Sequence, residues 1–218
     1  MRPHFHDRAT LTQRLAGHLR NSILSGGYAP GSPLREADLS ARYQVSRHVV
    51  REVLSTLAAD GLVDYASFRG ARVPVITEAD ARDIYRSRRI LECGPDALRP
   101  LPDPKPIAAI HRAFAAAVAV ADWPRAFELD VDFHVAVLAA GGSPRVSAWL
   151  DALLRDLRLA HLVAPAFNRT AMEDSVAQHG EIVAAIEAGD ASGARLAMKR
   201  HLEAAETALV WEMVPVGD

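Results

Sequence analysis

The feature that most constrains the fold is a three-residue gap between two short helical segments. Residues 36–43 have the spacing of a short helix, and residues 47–60 carry apolar side chains on one helical face before Gly61 ends the pattern. Only residues 44–46 lie between them, and Ser46 is a suitable N-cap for the second helix. Two helices joined by so short a turn are typical of a helix-turn-helix motif.

The segments on either side of this motif predict a third helix and a small hairpin. Apolar residues recur every fourth position from Leu11 to Ile23, and a capping-box pattern at residues 10–13 predicts that this helix starts near Thr10. Residues 62–65 and 72–75 have the pattern of short strands joined by a turn through residues 68–70. Three helices with such a hairpin predict a winged helix-turn-helix.

From Thr77 onward the pattern is helical to the end of the chain. Breaks rich in Gly and Pro divide this part into about six helices, and a capping-box pattern at residues 170–173 predicts the start of one of them. Aromatic residues make up only 6% of the chain, while alanine is dense, which favours helices packed on small residues. We predict a mostly α protein with a winged helix-turn-helix domain at residues 1–76 and a helical bundle at residues 77–218.

The charge of the chain differs between these two parts. The net charge of −2 for all 218 residues argues against nucleic-acid binding. Residues 1–76, however, carry ten Arg against six acidic residues, so their net charge is +4 and that of residues 77–218 is −6. A basic part joined to an acidic part is typical of a DNA reader with a separate sensing or assembly module.

Composition also limits the cellular context. The chain has no uninterrupted run of about 18 apolar residues, so no membrane span is expected. The first eight residues contain no apolar stretch, which predicts a cytoplasmic protein. A single cysteine, Cys93, allows neither an intramolecular disulfide nor a cysteine-based zinc site.

Basic residues cluster where a helix-turn-helix would meet DNA. Arg47, His48 and Arg51 lie at the start of the second helix of the motif, the end that usually enters the major groove. Arginine suits this position because its planar fork can donate two hydrogen bonds to guanine or to a phosphate. Arg35 before the motif and Arg69 in the predicted wing turn can contact the DNA backbone.

The first part of the chain resembles the N-terminal domain of the GntR family of bacterial transcription regulators. The resemblance covers about 45 residues, at positions 29–36, 39, 45–54, 57, 61–63 and 69–70. It implies that Arg47 and Arg51 contact operator DNA, with Ser46 and His48 beside them, and that Gly70 lies at the wing tip. The family commonly has Gly where this chain has Gln44, and Thr-Pro where it has residues 48–49.

Histidines in the second part have the spacing of a metal site. Asp130 and His134 are four residues apart and share one helix face. If residues 189–190 form the turn of a helical hairpin, His179 and His201 each lie about 15 Å from that turn, at 1.5 Å per residue. One carboxylate and three imidazoles can hold a divalent transition metal, zinc first, with nickel or manganese as alternatives. Taken alone, His134 fits a buried histidine satisfied by a neighbour.

These residues also resemble the FCD ligand-binding domain of FadR-type GntR regulators. The matching segments are 84–92, 130–134, 178–182 and 189–202. The resemblance implies that Asp130, His134, His179 and His201 bind a metal ion, and that Arg88 contributes to an effector pocket. Arg88 can equally be a surface residue or the partner of Glu92 in an ion pair.

Together these patterns predict a ligand-responsive, DNA-binding transcription regulator. The resemblance implies a repressor that is released by a small carboxylic acid bound at or near the metal. Helix-turn-helix readers commonly bind pseudo-palindromic double-stranded operators as dimers, so we expect a homodimer. Two alternatives remain open, a metal-dependent enzyme and a regulator whose metal is purely structural. No general base or nucleophile is evident beside the metal-ligand set, which argues against the enzyme.

Overall fold

The computed structural model describes residues 5–66, 70–95, 97–98, 103–140, 142–162 and 167–213. The chain divides into two compact units. The first unit contains residues 1–76 and 158–163, and the second contains residues 77–157 and 164–218. In the described parts of the chain, no helix is long and apolar enough to cross a membrane.

The first unit is built from three helices and a three-stranded sheet. Its elements are α1 (Phe5–Leu24), β1 (Pro33–Leu34), α2 (Glu36–Tyr43), α3 (Arg47–Ala59), β2 (Asp64–Ala66) and β3 (Gly70–Arg72). Helices α2 and α3 agree with the predicted helix-turn-helix. Helix α1 begins five residues before Thr10, so the prediction of its start was wrong. A capping-box sequence also occurs within helices, because Thr and Gln are tolerated there.

The turn between α2 and α3 is tight because Gln44 takes a left-handed backbone conformation. Gln44 has φ 52° and its N–H donates to the carbonyl oxygen of Ser40. Ser46 then caps α3, since its hydroxyl accepts a hydrogen bond from the backbone N–H of Val49 at 3.3 Å. The left-handed residue and the cap together end one helix and start the next within three residues.

The sheet differs from the predicted hairpin in strand position and in strand number. The strand order is β1-β3-β2, with antiparallel pairing throughout. The N–H of Leu62 bonds the carbonyl of Leu57 at the end of α3, and Val73 bonds the backbone of Gly31 and Ser32. These backbone groups of Leu62 and Val73 therefore bond to residues outside the hairpin. The paired part of the hairpin is shorter than the two predicted strands. The two-residue strand β1 was not predicted.

The core of the first unit joins the apolar faces of its three helices to the sheet. Its fully buried side chains include Leu19, Ile23, Leu34, Leu54, Leu57, Leu62 and Val73, and Leu159 of segment 158–163 joins them. Burial of this kind contributes about 25 cal/mol for each Å² of apolar surface removed from water. It fixes α3 from its inner side, so that the outer side of α3 faces solvent.

The second unit contains helices that carry the candidate metal ligands. Its described elements are α4 (Glu78–Glu92), α5 (Lys105–Ala119), α6 (Trp123–Ala139), most of α7 (Pro144–His161), α8 (Phe167–Glu187) and α9 (Ala191–Met213). Thr77 starts α4 through a full capping box with Asp80. The predicted start of α8 at Thr170 was wrong, because α8 already begins at Phe167.

Helices α8 and α9 form a hairpin around the turn at Gly189, whose φ is 70°. A residue without a Cβ is favoured at this left-handed position. Beside the hairpin, a small core joins Phe114 and Ala117 of α5 to Ala126 and Leu129 of α6 and Met172 of α8. The inner faces of α4, α6, α8 and α9 then bring several polar side chains into the interior of the unit.

Candidate metal centre and nucleic-acid interface

Asp130, His134, His179 and His201 converge inside the second unit. One ligand atom from each lies within 4.8 Å of all the others, and all four residues are buried. The Nε2 atom of His201 is 3.2 Å from that of His134 and 3.3 Å from that of His179, whose Nε2 is 3.5 Å from Oδ1 of Asp130. Tetrahedral donors at ~2.0–2.1 Å from zinc are ~3.3 Å apart, so these spacings suit a bound cation.

The hydrogen bonds of the Nδ1 atoms of His134 and His201 show which nitrogen of each ring is free to bind a cation. The Nδ1 atom of His134 is 2.6 Å from Oε2 of Glu92, and Nδ1 of His201 is 2.7 Å from Oε1 of Gln178. A carboxylate or an amide oxygen accepts hydrogen bonds, so each Nδ1 donates and each Nε2 presents a lone pair. Two lone pairs facing each other at 3.2 Å repel, and a metal ion between them removes this repulsion.

His179 is held by aromatic packing. Its ring stacks on Phe133 with centroids 4.0 Å apart and also contacts Phe114. Its Nδ1 atom is buried and has no hydrogen-bond partner among the described residues. Burial and the neighbouring His201 and His134 lower the pKa of His179 well below its usual range. Burial and His134 do the same to the pKa of His201, so both rings remain neutral, as metal ligation requires.

Arg88 is buried beside this cluster and forms the ion pair with Glu92. The Nε atom of Arg88 is 2.7 Å from Oε1 of Glu92, and both side chains are almost fully buried. Burial alone raises the pKa of Glu92, but Arg88 and His134 outweigh it and lower that pKa to about 2. Arg88 is therefore not a surface residue. Its NH2 atom is buried without a hydrogen-bond partner among the described residues.

Glu92 connects Arg88 to the candidate metal ligand His134. One of its oxygens accepts from Arg88 and the other from His134, so a single carboxylate orients a buried cation and a candidate metal ligand. Burial raises the pKa of Asp130, and Arg88 and His134 oppose that effect. The resulting arrangement combines four candidate metal ligands with a buried arginine, which suits a small anion.

The predicted DNA contacts in the first unit lie on its surface. Arg47, His48 and Arg51 occupy the first two turns of α3 and are exposed, as is Arg35, the N-cap residue of α2. His48 is 3.7 Å from Glu52. Arg47 and Arg51 are four residues apart and share one helix face. Their roles stay predictions.

The wing is described in part. Gly70 begins β3 with φ 76°, a left-handed conformation that favours glycine. Arg69 lies outside the described residues. Tyr65 of β2 is 39% exposed, and its hydroxyl donates to Glu36 at the start of α2.

Both parts of the chain match known families. Residues 83–204 match the FCD domain, and residues 11–73 match the bacterial regulatory proteins of the gntR family. The chain belongs to the GntR family of transcription regulators and carries an FCD domain. The members of this family and the chain's relatives are transcription regulators rather than enzymes, which removes the alternative of a metal-dependent enzyme. FCD domains bind metals, and this one contains a buried Asp/His group that can hold an ion.

Relatives of this GntR regulator cover nearly its whole length. It is 34% identical over 194 residues to an HTH-type transcriptional regulator of Streptomyces ambofaciens, covering 85% of this chain and 79% of the relative. It is 27% identical over 199 residues to the HTH-type transcriptional repressor GlaR of Escherichia coli. This match covers 84% of this chain and 89% of GlaR. A solved GntR regulator from Rhodococcus sp. RHA1 has a TM-score of 0.81 and 31% identity to this chain. The match covers 93% of this chain and 98% of the solved one.

The sequence did not predict the residues that hydrogen-bond to the Nδ1 atoms of the candidate ligands. Gln178 belongs to the matched FCD segment, but nothing in its spacing showed that it bonds His201. Glu92 was considered only as a partner of Arg88, whereas it also bonds His134. A Glu four residues after an Arg on a mostly apolar face is a signal that could have pointed to a buried pair.

Proposed function

We propose that this regulator is a homodimeric repressor that leaves its operator when a small carboxylic acid binds the FCD domain. The observation that carries the proposal is the unpartnered NH2 atom of Arg88, buried next to the Asp130 and histidine cluster. A buried guanidinium donor without a partner is costly, and a carboxylate would satisfy it with a charge-assisted hydrogen bond.

Asp130, His134, His179 and His201 would hold the metal. A bound divalent ion would supply a second positive group that attracts the carboxylate. Arg88 would donate to the acid, while Glu92 keeps Arg88 and His134 in place. Phe133, stacked on His179, excludes water from one face of the site.

In the first unit, Arg47 and Arg51 would donate hydrogen bonds in the major groove, and Ser46, His48, Arg35 and Gly70 would contact the backbone at the edges of the helix and wing. Arg69 would act with Gly70. Two copies of this unit would read the halves of a pseudo-palindromic duplex. This arrangement accounts for the basic first part of the chain.

The metal set is tested by metal analysis of the purified protein. We expect His179→Ala and His201→Ala to lose bound metal, because each removes one of four ligands. His111→Ala is the matched control, since its ring centroid is 6.4 Å from that of His179 but it is not one of the four ligands. Unchanged metal content in both ligand variants would remove the site.

The effector is tested by thermal unfolding and operator binding. We expect citrate, lactate or gluconate to raise the melting temperature of metal-replete protein and to lower its affinity for operator DNA. Glucose is the matched control for gluconate because it lacks the carboxylate. If the metal stabilises the protein but no acid changes operator affinity more than a few-fold, the metal is structural and the effector proposal fails.

A further inference from the structure

We propose that Glu36 and Tyr65 position Arg51 to read a guanine in the operator. This inference rests on the proposed DNA-binding role of Arg51 and adds two residues that act through it. Glu36 begins α2, Arg51 lies in the second turn of α3, and Tyr65 lies on strand β2 of the wing. The three residues therefore connect α2, α3 and strand β2.

The hydrogen bonds between Glu36 and Arg51 use one edge of the guanidinium. Nε of Arg51 donates to Oε1 of Glu36 at 3.2 Å, and NH2 donates to Oε2 at 2.9 Å. A guanidinium has five N–H groups, so both hydrogens of NH1 and one of NH2 remain for another acceptor. The remaining hydrogen of NH2 and one hydrogen of NH1 form the end edge of the guanidinium, which matches the O6 and N7 atoms of a guanine in the major groove.

Glu36 is itself fixed from a second direction. The hydroxyl of Tyr65 donates to Oε1 of Glu36 at 3.1 Å. The hydrogen bonds from Arg51 outweigh partial burial and, with that from Tyr65, lower the pKa of Glu36, so it stays ionised at neutral pH. The Glu36 carboxylate thus accepts hydrogen bonds from two residues, Arg51 on α3 and Tyr65 on the wing.

Holding Arg51 in advance favours a specific contact in two ways. A free arginine loses side-chain entropy when it is ordered against a base, and a held one loses less. The charge of Glu36 also lies next to the DNA-facing residues, where it repels phosphates and weakens binding to unrelated sequences. Both effects raise the ratio of specific to non-specific affinity, the first by strengthening the specific contact and the second by weakening binding to unrelated sequences.

The test uses the full-length protein and a duplex selected by it from a randomised library. Each G·C pair of that duplex is replaced in turn, and the ratio of affinities for the selected and replaced duplexes measures guanine discrimination. We expect wild-type protein to discriminate roughly tenfold at one position in each half-site and Arg51→Ala to lose this. Glu36→Gln should reduce the ratio by about fivefold and Tyr65→Phe by about threefold.

Asp38→Asn is the matched control. Asp38 is exposed in the same first turn of α2, and its substitution removes the same charge. We expect Asp38→Asn and Glu36→Gln to bind unrelated DNA more tightly, with only Glu36→Gln losing guanine discrimination. Thermal unfolding verifies that all variants fold, and Tyr65→Phe, which keeps the ring, tests the positioning without a change of charge.

The outcomes separate the two proposals. If Arg51→Ala keeps full discrimination, Arg51 does not read a base and both the role of Arg51 and this inference fail. If Arg51→Ala loses discrimination while Glu36→Gln and Tyr65→Phe keep it, Arg51 reads DNA without help and only the positioning role fails. Equal effects of Asp38→Asn and Glu36→Gln on discrimination would also overturn the positioning role.

Discussion

An arginine held by a glutamate is found in each unit, and the surroundings of the two pairs differ. The side chains of Arg51 and Glu36 are 58% and 27% exposed, whereas those of Arg88 and Glu92 are 2% and 0% exposed. Each glutamate has a further donor, Tyr65 in the first unit and His134 in the second. The same chemical pair is therefore placed in water in one unit and in the interior of the other.

This difference separates two uses of charge. An exposed pair contributes little to stability and is screened by salt, and the free edge of its arginine remains accessible to a polyanion. A buried pair loses its hydration, and the attraction between its members offsets that loss only when both are present. The first unit thus keeps the charges of this pair available to a macromolecule, and the second keeps those of its pair in the interior, beside the candidate metal ligands.

The largest expected effect comes from removing the glutamate of the buried pair. Glu92→Ala should destabilise the protein by ~3–5 kcal/mol, because it leaves Arg88 buried without a counter-charge. Glu36→Ala should leave the urea midpoint nearly unchanged, because its pair is exposed. Urea unfolding measures both. Arg88→Met combined with Glu92→Met should cost less than Glu92→Ala alone, and equal midpoints for Glu92→Ala and Glu36→Ala would break the comparison.

Metal removal should affect only the second unit. With free metal about 100-fold above Kd, binding stabilises the folded unit by about 2.7 kcal/mol, which a chelator would remove. We expect faster amide hydrogen exchange in α6, α8 and α9 after chelation and unchanged exchange in α3. Equal changes in α3 would show that the two units do not respond separately.

The helix caps at Ser46 and Thr77 allow a matched comparison of smaller size. Each threonine or serine to alanine change should cost ~1 kcal/mol, with Thr77→Ala the larger because its capping box is reciprocal. Thermal unfolding of Ser46→Ala and Thr77→Ala measures the difference.

The same two caps should differ in their pH dependence. The hydrogen bonds from Thr77 lower the pKa of Asp80, so the stabilisation from this pair is complete above the unfolded value of about 3.9 and is lost as pH falls through the folded value. The effect of Thr77→Ala should therefore shrink as the pH falls below the unfolded value and through the lowered folded value. The effect of Ser46→Ala should stay constant, because Val49 occupies the corresponding position of α3. An unchanged Thr77→Ala effect at low pH would contradict this.

The smallest expected effect concerns two left-handed residues, one in each unit. Gln44 has φ 52° and Ala121 has φ 57°. Gln44→Gly and Ala121→Gly should each stabilise the protein by ~0.5–1 kcal/mol, because the strain of a Cβ at positive φ exceeds the added entropy of glycine in the unfolded chain. Differential scanning calorimetry measures the shift, and a loss of stability in either variant would show that the side chain makes a compensating contact.

The fold was predictable wherever apolar spacing and turn residues act over short distances. The gap at residues 44–46 predicted α2 and α3, and Thr77 predicted the start of α4. Strand β1 was not predictable, because two residues are too few for a periodic pattern and its pairing depends on β3, which lies far along the chain.

The sequence predicted the four candidate metal ligands of the site but not the residues that hydrogen-bond to them. The i, i+4 spacing of Asp130 and His134 and the hairpin at Gly189 bring the four candidate ligands together, as the structure shows. Glu92 and Gln178 were missed because a bond to the far nitrogen of a histidine depends on ring orientation and packing, which spacing does not encode.

Strand β1 has a consequence for the behaviour of the protein at high concentration. A small sheet offers unpaired N–H and C=O groups at its outer strands, where another chain can add itself. In the order β1-β3-β2, one outer strand is only Pro33–Leu34, and Pro33 has no N–H to offer. That side of the wing therefore resists the strand-by-strand aggregation to which exposed hairpins are prone.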